Sequence, residues 1–280
     1  MSENLQLFSA KIRLETCKML AHRGFGHLGG ALSIVETLSV LFGEKMNIDP
    51  KNPMWDQRDY FVLSKGHAGP SYYSTLALKG YFPTEVLYTL NENGTNLPSH
   101  PDRLKTIGVD TTTGSLGQGI SLAVGIAKAL KLDNKPNKVY SIVGDGECNE
   151  GQVWEAFQFA AHQKLDNLIV FIDENHKQLD GLTVDVNNPF DLRAKMAAFG
   201  FYALRVDGSS EKAISEAIDD CFSHPGQALC IVLDTVKGQG VEYFEKLADN
   251  HHIRFASDSK SELDKAIVVL EELVLKGGAC

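Results

Sequence analysis

Gly144-Asp-Gly146 directly follows a short apolar run, Val139 to Val143, so Asp145 is expected at the carboxyl end of a buried strand. Open parallel sheets bind their ligands at that edge. The flanking glycines let backbone approach a phosphate closely, with no Cβ in the way. Asn175 comes 30 residues after Asp145, just beyond a second apolar run, Leu168 to Ile172. If the two strands are neighbours, a carboxylate and an amide oxygen reach the same spot. Hard oxygen donors of this kind suit Mg²⁺, which keeps diphosphate and water as its other ligands. A strand-end turn followed by a solvated asparagine is the alternative. The strand–helix–strand spacing favours the metal–diphosphate site.

A second candidate fails on context. Gly24-Phe-Gly-His-Leu-Gly29 matches the G-x-G-x-x-G pattern of dinucleotide sites. That pattern works only between a strand and a helix N-terminus, where unpaired amides meet a pyrophosphate. Here a helical segment precedes it and no βαβ unit surrounds it, so the glycines are expected to make a tight turn that presents His27. Imidazole is the other chemistry-bearing group in quantity, with 9 histidines in the chain. Taken singly, most histidines are structural, and His22, His162, His176 and His224 are read so.

The elements that must hold these residues follow from periodicity. Leu5 to about Arg23 reads as a helix with Leu5, Phe8 and Ile12 on one face. A second is expected over about Ser33 to Gly43, with Ser33 and Glu36 as a capping box. A third runs from about Leu116 to Leu130, its Gly and Ala content indicating close packing. Val153 to His162 is helical between the two apolar runs. Phe201 to Val206 and Ala228 to Leu233 read as strands, with a helix from about Ser210 to Phe222 between them. Leu263, Ile267, Leu270 and Val274 form a final stripe, stopped by Gly277-Gly278. Strands alternating with helices predict an α/β fold, a doubly wound, mostly parallel sheet with helices on both faces. Residues 1–280 are expected to form a single domain with a helical amino-terminal part and a carboxyl-terminal helix.

Bulk properties set limits. The 280 residues bury roughly three quarters of the unfolded surface on folding. Hydrophobic residues at 43% and charged residues at 22% exclude a largely disordered chain. A net charge of −9 argues against nucleic-acid binding, which needs a basic face. Cys17, Cys148, Cys221, Cys230 and Cys280 form no close pair, so they read as reduced thiols of a cytoplasmic protein. Met1-Ser-Glu-Asn leads into no cationic and then apolar stretch, so no signal peptide is expected, and no apolar run is long enough to span a membrane as a helix.

Gly144-Asp-Gly-Glu-Cys-Asn-Glu-Gly-Gln-Val-Trp-Glu-Ala156, followed by Asp173-Glu-Asn-His-Lys-Gln-Leu-Asp-Gly181, resembles the thiamin diphosphate motif as transketolases carry it. Gly26-His-Leu-Gly-Gly-Ala-Leu-Ser33, Val62-Leu-Ser-Lys-Gly-His-Ala68 and Thr113-Gly-Ser-Leu-Gly-Gln-Gly-Ile-Ser121 agree with the same family. The likeness weakens after about Lys237-Gly-Gln-Gly240. It implies that Asp145, Asn175 and the carbonyl of Lys177 hold Mg²⁺. Gly144, Gly146 and Glu147 would lie along the cofactor, with Gly146 at the diphosphate. Leu179 would pack near the thiazolium, and Gly114 and Leu116 would meet the aminopyrimidine. Lys237 resembles a lysine that reaches the diphosphate, with a surface loop lysine as its alternative. His27, His67, His100 and His252 match positions lining the substrate channel, His251 staying open for the last of them. Imidazoles there would bond sugar hydroxyls and move protons near neutral pH. Glu150 resembles a glutamate that links cofactor sites across an interface.

A transketolase chain of full length is more than twice as long and holds the aminopyrimidine in a second domain. The resemblance therefore implies the amino-terminal subunit of a split transketolase, joined to a carboxyl-terminal subunit in a hetero-oligomer (expected α2β2). The expected reaction transfers a two-carbon ketol unit between sugar phosphates, although a sulfonated or free sugar stays open. Trp154, Phe157 and the third helix are either core or interface. Rival assignments are the alpha subunit of a 2-oxo acid dehydrogenase and a 1-deoxyxylulose-5-phosphate synthase; neither shares the Gly26-His27 or Lys65-Gly-His67 stretches.

Overall fold

The computed structural model describes residues 4–278; the expectations for Met1 and Cys280 lie outside them. Helix α1 (Leu5–Arg23) starts where the Asn4 side chain accepts from the Leu7 amide at 3.1 Å, and stops at Gly24 with φ +80°. Strand β1 (Phe25–Gly26) leads into α2 (Gly29–Leu32) and α3 (Val35–Val40). Then follow β2 (Tyr60–Leu63), α4 (Gly69–Lys79), α5 (Gln118–Leu132), β3 (Val139–Gly144), α6 (Gly151–His162) and β4 (Leu168–Glu174). A small hairpin, β5 (Lys177–Gln178) and β6 (Gly181–Leu182), precedes α7 (Thr183–Asn187), α8 (Leu192–Ala198) and β7 (Phe201–Asp207). The chain continues through α9 (Glu211–Phe222), β8 (Ala228–Asp234), α10 (Glu242–Lys246), β9 (Ile253–Arg254) and α11 (Ser257–Leu275).

Five strands form one parallel sheet in the order β2-β3-β4-β8-β7. The central strands read as unbroken apolar runs because both faces are covered. Alternate residues serve the two sides. Tyr140, Ile142, Ile169 and Phe171 pack under α1, α3, α4, α9 and α11, while Val139, Val143, Val170 and Ile172 pack under α5, α6 and α8. The register pairs Gly144 with Asp173 and Glu174 with Asp234, so three strand ends are level at one edge. No helix among the described residues is long and apolar enough to cross a membrane.

Two expectations about elements are corrected. The helix expected over about Ser33 to Gly43 is present from Val35 as α3, set off from α2 by the turn Ser33–Ile34, and it widens over its last five residues, Leu41–Lys45. The expected capping box does not form, since tertiary partners claim both side chains. Ser33 Oγ donates to Asp173 Oδ2 at 2.8 Å, and Glu36 accepts from Arg13 Nη2 at 2.5 Å and from Gln239 Nε2 at 2.9 Å. The third helix begins at Gln118 rather than Leu116, because Gly117 at φ +81° stands just before it.

Candidate active site

A cavity of about 470 Å³ opens at the carboxyl edge of the sheet. Asp145 and Asn175 both reach it, from the ends of adjacent strands. Asp145 is buried; its Oδ1 accepts from the Gly146 amide at 2.8 Å and its Oδ2 from the His176 amide at 2.7 Å. Burial, and then the charge of Asp173, push its carboxyl up to about 7. Asn175 Oδ1 accepts from the Lys177 amide at 3.2 Å. The turns after β3 and β4 thus bring a carboxylate, an amide oxygen and Lys177 to one cavity. This oxygen set can hold a hard divalent cation. No cluster of three or more His, Cys, Asp or Glu side chains among the described residues could hold a metal in another way.

Gly144 and Gly146 line the cavity beside Asp145, and Gly114, Leu116 and Leu179 lie across from them. Gly114 takes φ +146°, and a Cβ there would stand 3.0 Å from the His100 ring. Only glycine keeps that wall open. Lys237 is buried: its ammonium donates to the Lys177 carbonyl at 3.2 Å and contacts His251 Nδ1 at 3.1 Å. Burial, reinforced by Lys65, lowers the Lys237 amine to about 8. It is therefore no surface loop lysine.

The histidines converge because β1 pairs antiparallel with β9, setting Gly26 opposite Ile253. Ring centroids lie 5.6 Å apart for His27 and His67, 5.8 Å for His27 and His100, and 4.7 Å for His67 and His251. Burial, then the neighbouring histidines, pull His27 down to about 3. Burial and Lys237 pull His251 to about 4, and burial also lowers His67 and His100. Near neutral pH these rings are uncharged, each with one donor and one acceptor for hydroxyl groups. His252, the expected fourth member, is displaced. It is exposed and stands behind His27, 4.8 Å away and 5.9 Å from Phe25, while His251 faces the cavity.

Glu147 lines the cavity as well. Its carboxylate turns into the protein, accepting from Ser64 Oγ at 2.6 Å and from the amides of Gly117 at 2.9 Å and Gly144 at 3.0 Å. It ties the ends of β2 and β3 to the start of α5. Glu150 is exposed at the start of α6, with no capping hydrogen bond. Phe157 is core, whereas Trp154 is half-buried and donates to the Cys148 carbonyl at 2.7 Å. Lys65 and Asp173 lie in the stretches that resemble the family, although the resemblance implies no role for either. They form a buried ion pair at 2.6 Å, with Lys65 lining the cavity. Only their positions after β2 and at the end of β4 could have pointed to them.

Residues 6–267 match the family model described as the transketolase, thiamine diphosphate binding domain. The chain belongs to the transketolase family. A relative in Clostridium sp. (strain MSTE9), the 6-deoxy-6-sulfo-D-fructose transketolase subunit SqwG, is 46% identical over 94% of this chain and 97% of its own length. An apulose-4-phosphate transketolase subunit of Phocaeicola vulgatus is 36% identical over 89% of each chain. Among solved transketolases, a single-residue mutant of the enzyme from Pichia stipitis superposes with TM-score 0.85 at 29% identity over 98% of this chain. The chain spans less than half the length of that protein, 44%, and 46% of the transketolase from Leishmania mexicana.

Proposed function

We propose that this chain is the cofactor-holding, amino-terminal subunit of a split transketolase, moving a two-carbon ketol unit from a ketose to an aldose only when joined to a partner subunit. The observation that carries this reading is the level pair of tips, Asp145 and Asn175, facing a wall of uncharged histidines in one cavity. Asp145, Asn175 and the Lys177 carbonyl would hold Mg²⁺. The Gly146 backbone and the Lys237 ammonium would meet the diphosphate, and Leu179, Leu116 and Gly114 would pack against the rings. Bound thiamin diphosphate supplies a nucleophilic carbanion and an electron sink. The protein's share is to orient sugar hydroxyls and exchange protons through His27, His67, His100 and His251.

An anionic ketose is the favoured donor. The 46% identical relative is named for a sulfonated ketose and the 36% identical one for a phosphorylated sugar, so a sulfonated ketose is the first substrate to assay. A partner is supported by the exposed apolar rim of the cavity. Leu179 is 63% and Val186 43% exposed where they line the cavity, and Leu182 and Val184 are exposed on the same hairpin and helix. A carboxyl-terminal subunit covering that rim would complete an αβ pair, and two such pairs would make the expected α2β2 assembly, in a cytoplasmic setting where the buried thiols stay reduced. Titration with thiamin diphosphate and Mg²⁺, with and without the co-purified partner, tests this. Ketol transfer confined to the complex supports the assignment. Decarboxylation of a 2-oxo acid instead would move it to the dehydrogenase alpha subunits.

A further inference from the structure

Asparagine is an ambiguous metal ligand, because its amide has an oxygen end and a nitrogen end and only the oxygen can bind a cation. Something must decide which end faces the ion. Asn175 Nδ2 donates to Asp173 Oδ2 at 2.6 Å. The same oxygen accepts from Lys65 Nζ at 2.6 Å and Ser33 Oγ at 2.8 Å, while Oδ1 accepts from Thr235 Oγ1 at 2.6 Å. Asp173 is fully buried, and its donors come from four separate stretches of chain: the break between α2 and α3, the end of β2, the turn after β4 and the end of β8. An ionised carboxylate only accepts hydrogen bonds. A flipped Asn175 amide would set oxygen against oxygen there, so the flip is closed.

We propose that Asp173 is a positioning residue that locks the Asn175 amide with its oxygen toward the cation site. It is not itself a ligand, since its oxygens are already taken by four donors, and Lys65 supplies the balancing charge. Metal sites depend on such outer partners for about ten- to a hundredfold in affinity. This rests on the cation site proposed above.

The test uses the full chain with the partner subunit it co-purifies with, and Mn²⁺ as probe in the presence of thiamin diphosphate, read by electron paramagnetic resonance at pH 8. Asn175→Asp puts a stronger ligand in place but faces it with the Asp173 carboxylate. It is expected to bind Mn²⁺ about ten- to a hundredfold more weakly. The exchange D173N/N175D, made together with Lys65→Met because the new amide nitrogen would otherwise face the Lys65 ammonium, restores a donor and an acceptor across the pair and is expected to recover most of that loss. Asn175→Asp binding as tightly as wild type, or an exchange variant as weak as Asn175→Asp alone, overturns the proposal. Failure of both variants to fold also overturns it, because the pair would then be a folding element. Asp145→Ala separates the two levels: wild-type Mn²⁺ binding by that variant sinks the cation site itself, whatever the exchange shows.

Discussion

Asp145 is the one charged oxygen donor of the proposed cation site, while Asn175 and the Lys177 carbonyl supply neutral ones. Asp145→Ala is expected to abolish Mg²⁺-dependent binding of thiamin diphosphate in calorimetric titration. The far-ultraviolet circular dichroism should stay that of the wild type, and normal binding by the variant would refute the metal assignment. The histidines carry a second expectation. His251 faces the cavity and contacts Lys237, whereas His252 is exposed behind His27. Alanine at 251 should lower kcat/KM for ketol transfer about a hundredfold, as for a lost proton-transferring group. Alanine at 252 should change it little, and the reverse order would return the role to His252. Two adjacent histidines of one type present no difference in sequence. Only the turn into β9 decides which of them enters the cavity, and that turn is set by pairing with β1 far along the chain.

At the scale of elements, the site rests on turns held by buried polar groups. The turn carrying Lys237 is fastened by Gln239, whose carbonyl accepts from Arg13 Nε at 3.1 Å and whose amide donates to Glu36. Arg13 and Glu36 form a buried ion pair joining α1 to α3. Arg13→Met leaves Glu36 buried and unpaired, so it should cost about 3–5 kcal/mol of stability in urea unfolding. The double variant Arg13→Met with Glu36→Leu should regain most of that, because no uncompensated charge remains. Equal losses in the two variants would mean that the pair contributes packing rather than charge balance. The same pair shows where sequence reasoning stops. The apolar runs at Val139 and Leu168 announce β3 and β4 because burial on both faces leaves them largely apolar up to their carboxyl ends, Ser141 excepted. Ser33 and Glu36 announce a cap that does not exist, since local spacing is blind to Asp173 and Arg13 arriving from distant segments. Strand β2 passes unnoticed, being four residues between polar loops. Lys65 and Asp173 look like ordinary surface charges until the sheet register brings them together.

For the molecule as a whole, a cluster of neutral imidazoles makes stability depend on pH. His27 titrates near about 3 and His251 near about 4 in the folded chain, chiefly through burial, while an unfolded histidine titrates near 6.5. At pH above about 6.5 neither state is protonated, and these groups leave stability flat. As pH falls below that, the unfolded chain takes up protons that the folded chain refuses, so stability drops until the folded values are passed. His67, held well below its ordinary value by burial and Lys65, adds in the same direction. Asp145, raised to about 7, and the carboxyls of Glu36, Asp59, Asp110 and Glu147, also raised by burial, work against them, because each binds its proton more readily folded than unfolded. Comparing variants cancels that opposing contribution. Between pH 6.5 and pH 4.5 the urea midpoint of His27→Gln should gain on that of the wild type as pH falls, by the equivalent of about one proton. Parallel pH profiles would show that His27 is free to protonate in the folded state, and the cavity wall would then be positively charged at mildly acidic pH instead of neutral.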